Sequence, residues 1–98
     1  MAPVEHAVIF KFTEGTTDAQ IAEFFADARG MMAQIPGIAR FVGGANISGE
    51  GLSRDFTHMF IMTFEDAAAR DAYLPHDAHE AFKAKWVPSL AKIFVMDI

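Results

Sequence analysis

Two stretches of this chain, Val4 to Phe12 and Phe56 to Phe64, alternate like strands yet are largely apolar on both of the faces that the alternation defines. In the first, His6, Val8, Phe10 and Phe12 share one face, while Ala7 and Ile9 lie on the other before Lys11. In the second, Phe56, His58, Phe60, Met62 and Phe64 oppose Thr57, Met59, Ile61 and Thr63. Strands of this kind need cover on both sides. The fold must therefore supply two apolar surfaces to one sheet.

The segments between them supply one. Thr17 begins a helix and Gln20, three residues on, completes a capping box. Ile21, Phe24, Phe25, Ala28, Met31, Met32 and Ile35 then recur at three- and four-residue steps, opposite Asp18, Glu23 and Arg29, so the stripe is a core face. Gly30 costs about 1 kcal/mol against alanine at a helix interior, which points to close packing there or to a less regular last turn. Pro36 and Gly37 end the helix. A second strand follows from Ile38 to Ile47, with Phe41 and Val42 pointing oppositely and Gly43–Gly44 marking a bulge or a close approach of another backbone. Ser48 to Asp55 is an exposed, mobile loop. After the third strand, helix runs from about Asp66 to Tyr73, breaks at Leu74–Pro75, and restarts with Asp77 as N-cap and Glu80 as its capping-box partner. That helix reaches Trp86 or Val87 before Pro88, and Leu90 to Asp97 closes the chain as a fourth strand.

Strand, helix, strand, strand, helix, strand is the order of an α+β, ferredoxin-like sandwich: a four-stranded antiparallel sheet with its helices on one face. The second apolar face is then left bare as a patch larger than monomers usually tolerate. The expected cover is the same face of a second copy, giving a homodimeric α+β barrel.

With 98 residues, 52 % of them apolar, residues 1–98 make a single domain with one packed core. There is no cysteine, which excludes disulfides, thiolate metal sites and a cysteine nucleophile. The net charge of −5 is spread along the chain, against nucleic acid or an anionic membrane as partner. No basic segment precedes an apolar run and no stretch approaches the roughly 18 apolar residues of a membrane span, so a cytoplasmic location is expected.

Three of the four histidines and the only tyrosine fall between Phe56 and Phe82. His79 lies in the first turn of the restarted helix, where the positive end of the helix dipole lowers an imidazole's pKa and keeps it neutral as a base requires. Tyr73 ends the preceding helical stretch, where its ring can be buried and its hydroxyl wet. His6 and His58, on apolar strand faces, are either hydrogen-bonded core residues or walls of a pocket under the helices. His76 stands just outside the helix that holds His79 and is expected, with His6 and His58, to line the pocket. A metal site from His58, His76 and His79 lacks the spacing and carboxylate of helical zinc motifs, and no metal or other cofactor is expected.

Across nearly its whole length the chain resembles the stress-responsive A/B barrel (Dabb) family of dimeric α+β barrels. The resemblance rests on His6 leading Val8-Ile9-Phe10-Lys11-Phe12, on Ile35-Pro36-Gly37, on the run from Gly44 to Glu50, on Phe56-Thr57-His58, and on Tyr73 followed by His76 and His79. One difference is local: the family usually has proline after the first histidine of that last pattern, whereas here Asp77 follows His76 and Pro75 precedes it. The resemblance implies that Tyr73 and His79 match the catalytic pair of a polyketide cyclase performing an intramolecular aldol condensation. It also implies that His6 and His58 match its pocket-lining histidines, and that Ala28 stands where that enzyme has a further pocket tyrosine. Three functions follow as alternatives: such a cyclase-like enzyme, a non-catalytic stress or ligand-binding dimer holding a small apolar ligand, and, on fold analogy alone, a monooxygenase- or haem-handling relative.

Overall fold

The computed structural model describes residues 2–98 and orders its elements as β1 (Val4–Phe12), α1 (Asp18–Gln34), β2 (Ile38–Ala45), β3 (His58–Phe64), α2 (Ala67–Tyr73), α3 (Asp77–Trp86), a 3-10 turn at Val87–Ser89, and β4 (Leu90–Asp97). The strands make one antiparallel sheet in the order β2-β3-β1-β4. This is the ferredoxin-like arrangement, with the helices on one face. Among the described residues, no helix is long and apolar enough to cross a membrane.

The alternation of β1 sets the two faces. His6, Val8, Phe10 and Phe12 are buried beneath the helices, against Phe60, Met62 and Phe64 of β3 and Phe24, Ala28, Met31 and Ile35 along the α1 stripe. The Phe24 ring is the hub, 4.9 Å from Phe10, 5.2 Å from Phe12 and 5.5 Å from Trp86. Burying each such aromatic is worth about 1.5–3 kcal/mol. α1 starts with the capping box, the Gln20 amide donating to Thr17 Oγ1 and the Thr17 amide to Gln20 Oε1. It is tied to α3 by Trp86 Nε1 donating to Asp27 at 2.9 Å and by Lys85 bridging Glu23 and Asp27.

Four local expectations change. β2 stops at Ala45 and β3 starts at His58, because the connection tightens through positive φ angles at Gly51, Arg54 and Asp55. Phe56 consequently leaves the alternation of β3 and packs its ring 5.2 Å from Phe94, away from the helices. The register irregularity of β2 falls between Ile38 and Arg40, not at the glycine pair. Gly43 does mark a close approach, since a Cβ there would lie 2.8 Å from Phe25 Cε1 and 2.8 Å from Phe60 Cβ. Gly30 is the reverse case: its helix continues regularly to Gln34 and nothing lies within 4 Å of where a Cβ would be, so close packing is not the reason for it. Finally, Asp77 is not the N-cap of α3. His76 is, with its Nδ1 accepting from the Ala78 amide at 3.0 Å, while Glu80 pairs with Lys83 at 2.7 Å. An imidazole Nδ1 sits as far along its side chain as the Oδ1 of asparagine, and so takes the same place.

The face away from the helices carries Ala7, Ile9, Met59, Ile61, Phe94 and Met96 on neighbouring strands, and Met96 is 62 % exposed. The helices also fall short of β4 on their own side, leaving Ile93 at 49 % and Val95 at 48 % exposure. The uncovered margin of that layer is where the site forms.

The two glycines separate propensity from packing. Gly30→Ala is expected to stabilise the protein by about 0.5–1 kcal/mol and Gly43→Ala to destabilise it by about 1–3 kcal/mol, both measured by urea unfolding.

Candidate functional site

A cavity of about 210 Å³ opens between the β4 margin and the helices, walled by His6 and Val8 of β1, Tyr73 at the end of α2, His79 and Phe82 of α3, and Ile93 and Val95 of β4. The Pro75 break builds its polar wall. Pro75 lacks an amide hydrogen, and the chain turns with the His76 amide donating to the Tyr73 carbonyl at 3.1 Å. α3 therefore restarts beside α2, and the rings of Tyr73 and His79 stack at 4.0 Å with 25° between their planes. The His6 ring meets Tyr73 edge-on at 5.6 Å, and Phe64 backs the phenol at 5.0 Å.

Tyr73 is 1 % exposed, yet its hydroxyl has no hydrogen-bond partner among the described residues. Every fully enclosed side-chain nitrogen or oxygen there does have one, so this hydroxyl keeps a small accessible surface, and the adjoining space is the cavity. Burial first, and the Asp97 carboxylate second, push the phenol well above its ordinary pKa. At neutral pH it is a proton donor only.

His79 is half-buried and bonds to the Leu74 carbonyl at 3.0 Å. Only an N–H can make that bond, so Nδ1 carries the proton and Nε2 keeps its lone pair in the neutral ring. Burial lowers the His79 pKa; the Leu74 bond works against this, and Lys83 adds to the lowering. The shift has the direction expected for a base, and its largest cause is desolvation.

The five sequence candidates do not all gather. His6, Tyr73 and His79 wall one cavity, and His58 and His76 lie outside it. His58 shares the inner face of the sheet but pairs with Phe10, four residues along β1 from His6, which puts roughly 13 Å between them. It packs 5.1 Å from Phe12, bonds Thr57 Oγ1 at 2.8 Å, and borders a separate groove of about 400 Å³ with Ile47, Phe56 and Met59. Burial lowers its pKa too. His76 is committed to capping α3, so the expectation that it lines the pocket is corrected.

Two residues without a signal strong enough to single them out in the sequence stand behind the wall, at His6. Asp97 accepts from His6 Nδ1 at 2.8 Å and also pairs with Arg70. An acid at the end of β4 in phase with Ile93 and Val95 was a readable signal for Asp97. Nothing local marks Arg70. Among the described residues, no group of three or more histidine or acidic side chains is placed to hold a metal.

Fold and cavity together define a ferredoxin-like α+β domain with a buried tyrosine and two histidines at the margin of its helical layer. The chain belongs to the stress-responsive A/B barrel domain family, whose model matches residues 4–98. It is 32 % identical to the stress-response A/B barrel domain-containing protein HS1 of Arabidopsis thaliana, over 97 % of this chain and 87 % of that one. It is 27 % identical to olivetolic acid cyclase of Cannabis sativa, over 96 % of this chain and 93 % of the cyclase. A dimeric ferredoxin-like protein of unknown function from Jannaschia sp. superimposes with a TM-score of 0.86 at 29 % identity, covering 99 % of this chain and 98 % of that one.

Because His79 and His58 are both depressed below the ordinary value of 6.5, the unfolded chain takes up their protons first as the pH falls. The stability they contribute is complete above pH 6.5 and is lost below it, through the lower folded values. Urea midpoints are expected to be flat above that pH and to decline below it, less steeply in His79→Gln. An equally steep decline in the variant would assign the effect elsewhere.

Proposed function

We propose that this protein is a homodimeric enzyme of polyketide-cyclase type, which removes a proton beside a carbonyl of a small, largely apolar substrate and closes a ring by intramolecular aldol condensation. The observation that carries the reading is the Tyr73–His79 stack at 4.0 Å, with an unpartnered phenol hydroxyl at a mostly apolar cavity. His79 Nε2 takes the proton from the carbon next to the carbonyl, and the Tyr73 hydroxyl donates to the carbonyl oxygen as it becomes an enolate. The enolate carbon attacks a second carbonyl of the same substrate. The protonated His79 returns its proton to the new alkoxide, so the pair ends as it began; loss of that hydroxyl with a neighbouring carbon-bound hydrogen, as water, completes the condensation, and no redox partner is needed. Similarity to a relative named olivetolic acid cyclase supports this class of substrate.

The homodimer is supported by the apolar outer face of the sheet, with Ile9, Ile61, Phe94 and Met96 at its centre, and by the dimeric Jannaschia protein of similar fold. Face-to-face association removes that patch from water. Sedimentation is expected to give a dimer at micromolar concentration and a monomer for Phe94→Glu; a native monomer overturns the assembly.

In an assay for cyclisation of poly-β-keto substrates, His79→Gln is expected to lower turnover about a hundred- to ten-thousand-fold and Tyr73→Phe about a hundred- to a thousandfold. Both variants should keep the native circular dichroism spectrum and sedimentation coefficient. Full activity in either, or none in the native protein across a broad panel, leaves the second reading, a non-catalytic stress or ligand-binding dimer; a relative at 32 % identity carries a stress-response name.

A further inference from the structure

One chain of polar groups runs back from the cavity wall at His6 and takes no proton in the Tyr73–His79 chemistry. His6 is buried, with its side chain 7 % exposed, and its Nδ1 lies 2.8 Å from Asp97 Oδ1. The other carboxylate oxygen, Oδ2, accepts from Arg70 Nη1, and Arg70 is further held by Nε donating to Asp71 at 3.0 Å. Asp97 therefore sits between two donors on two different elements, its side chain 24 % exposed. Burial acts to raise its pKa, but the bonds from His6 and Arg70 prevail and hold it below the ordinary value. It is an ionised acceptor.

An ionised carboxylate on Nδ1 fixes the imidazole tautomer: Nδ1 carries the hydrogen, and Nε2 of the neutral ring keeps its lone pair. His6 Nε2 has no hydrogen-bond partner among the described residues, nor is it a fully enclosed orphan atom. The open space beside His6 is the cavity. Arg70 lies on α2 three residues before Tyr73, so the residue that orients the carboxylate rides on the helix that delivers the phenol. Without Arg70, Oδ2 has no protein donor, and Asp97 at the end of an edge strand is free to turn to water. The ring would then lose the partner that selects its tautomer.

We propose that Arg70 is a positioning residue: through Asp97 it holds His6 with a bare Nε2 toward the cavity, as acceptor for a substrate O–H, and so selects β-dicarbonyl compounds in their enol form over simple ketones. This rests on the reading of the cavity as a substrate site. An enol of a β-dicarbonyl presents one carbonyl oxygen and one O–H; the Tyr73 hydroxyl donates to the first and His6 Nε2 accepts from the second. A monoketone has no O–H and leaves Nε2 buried without a partner, which is the kind of mismatch that discriminates well.

The test uses two probes of one skeleton, benzoylacetone, which enolises between its two carbonyls, and butyrophenone, which has a single carbonyl. Long-range proton–nitrogen spectra of the native protein are expected to show His6 protonated on Nδ1 and bare on Nε2. Arg70→Met should spread His6 over both tautomers and weaken benzoylacetone binding roughly five- to tenfold, the loss of about one hydrogen bond, with butyrophenone binding unchanged. Arg70→Lys, which keeps a charged donor, should restore most of both. The proposal is overturned by a native His6 carrying its hydrogen on Nε2, by an unchanged tautomer in Arg70→Met, by equal weakening of both probes, or by a native protein that does not prefer benzoylacetone. None of these readouts is a turnover. Failure of the proton-transfer reading appears instead in the His79 and Tyr73 variants, so the two are told apart.

Discussion

A histidine 5 % exposed in an otherwise apolar strand face must find a partner, and His6 finds Asp97 at the far end of the chain. That bond joins the first strand to the last. It lies beside the backbone pairing of Glu5 with Ile98, where each amide donates to the other residue's carbonyl, at 2.8 and 3.0 Å. β4 is an edge strand over which no helix extends, so apolar cover does little to hold it. Its ladder to β1 and the His6–Asp97–Arg70 chain hold it instead. The same uncovered edge that needs polar anchoring is the edge along which the cavity opens, so anchoring and site are one feature.

The fold was legible where local chemistry and burial agree. Thr17 and Gln20 cap α1 through bonds confined to its first turn, and the inner residues of β1 are buried at every second position because no other arrangement hides them. Leu90 to Asp97 was plain from composition. Legibility failed where a side chain took a job its type does not advertise. His76 caps α3 ahead of the better-known capper Asp77, because Pro75 fixes the turn that precedes it. Phe56 leaves the β3 alternation because left-handed Arg54 and Asp55 reset the face it points to.

For the site, the proline break between Tyr73 and His79 was the readable part, since proline forces a turn whatever the surroundings. That both rings would end stacked on each other was not readable. Alternation put His6 and His58 on one face and so suggested one pocket, but a face is long: the four strand positions between their levels carry His58 to another groove. Alternation reports which side a residue takes, not how far along it lies. Arg70 and Asp97 are 27 positions apart in sequence, and only the long Arg70 side chain, reaching from α2 to the end of β4, brings them together.

The protons of the cavity wall explain why two neutral aromatic groups and one ion pair fit together. Burial raises the phenol of Tyr73 and lowers the imidazole of His79, so desolvation drives both toward the uncharged state. Two neutral rings stack at 4.0 Å without the cost of an enclosed charge, which an imidazolium pressed against a buried phenol would carry. Asp97 is the exception, kept ionised because two donors outweigh its burial. Its charge acts on both neighbours in useful directions: it raises Tyr73 further, keeping that hydroxyl a donor, and it holds the hydrogen of His6 on the nitrogen away from the open space. The Tyr73 hydroxyl and two imidazoles, on His79 and His6, then border a space of about 210 Å³ that Lys83 also lines. A group that gives up one proton from carbon and offers another on oxygen meets all three.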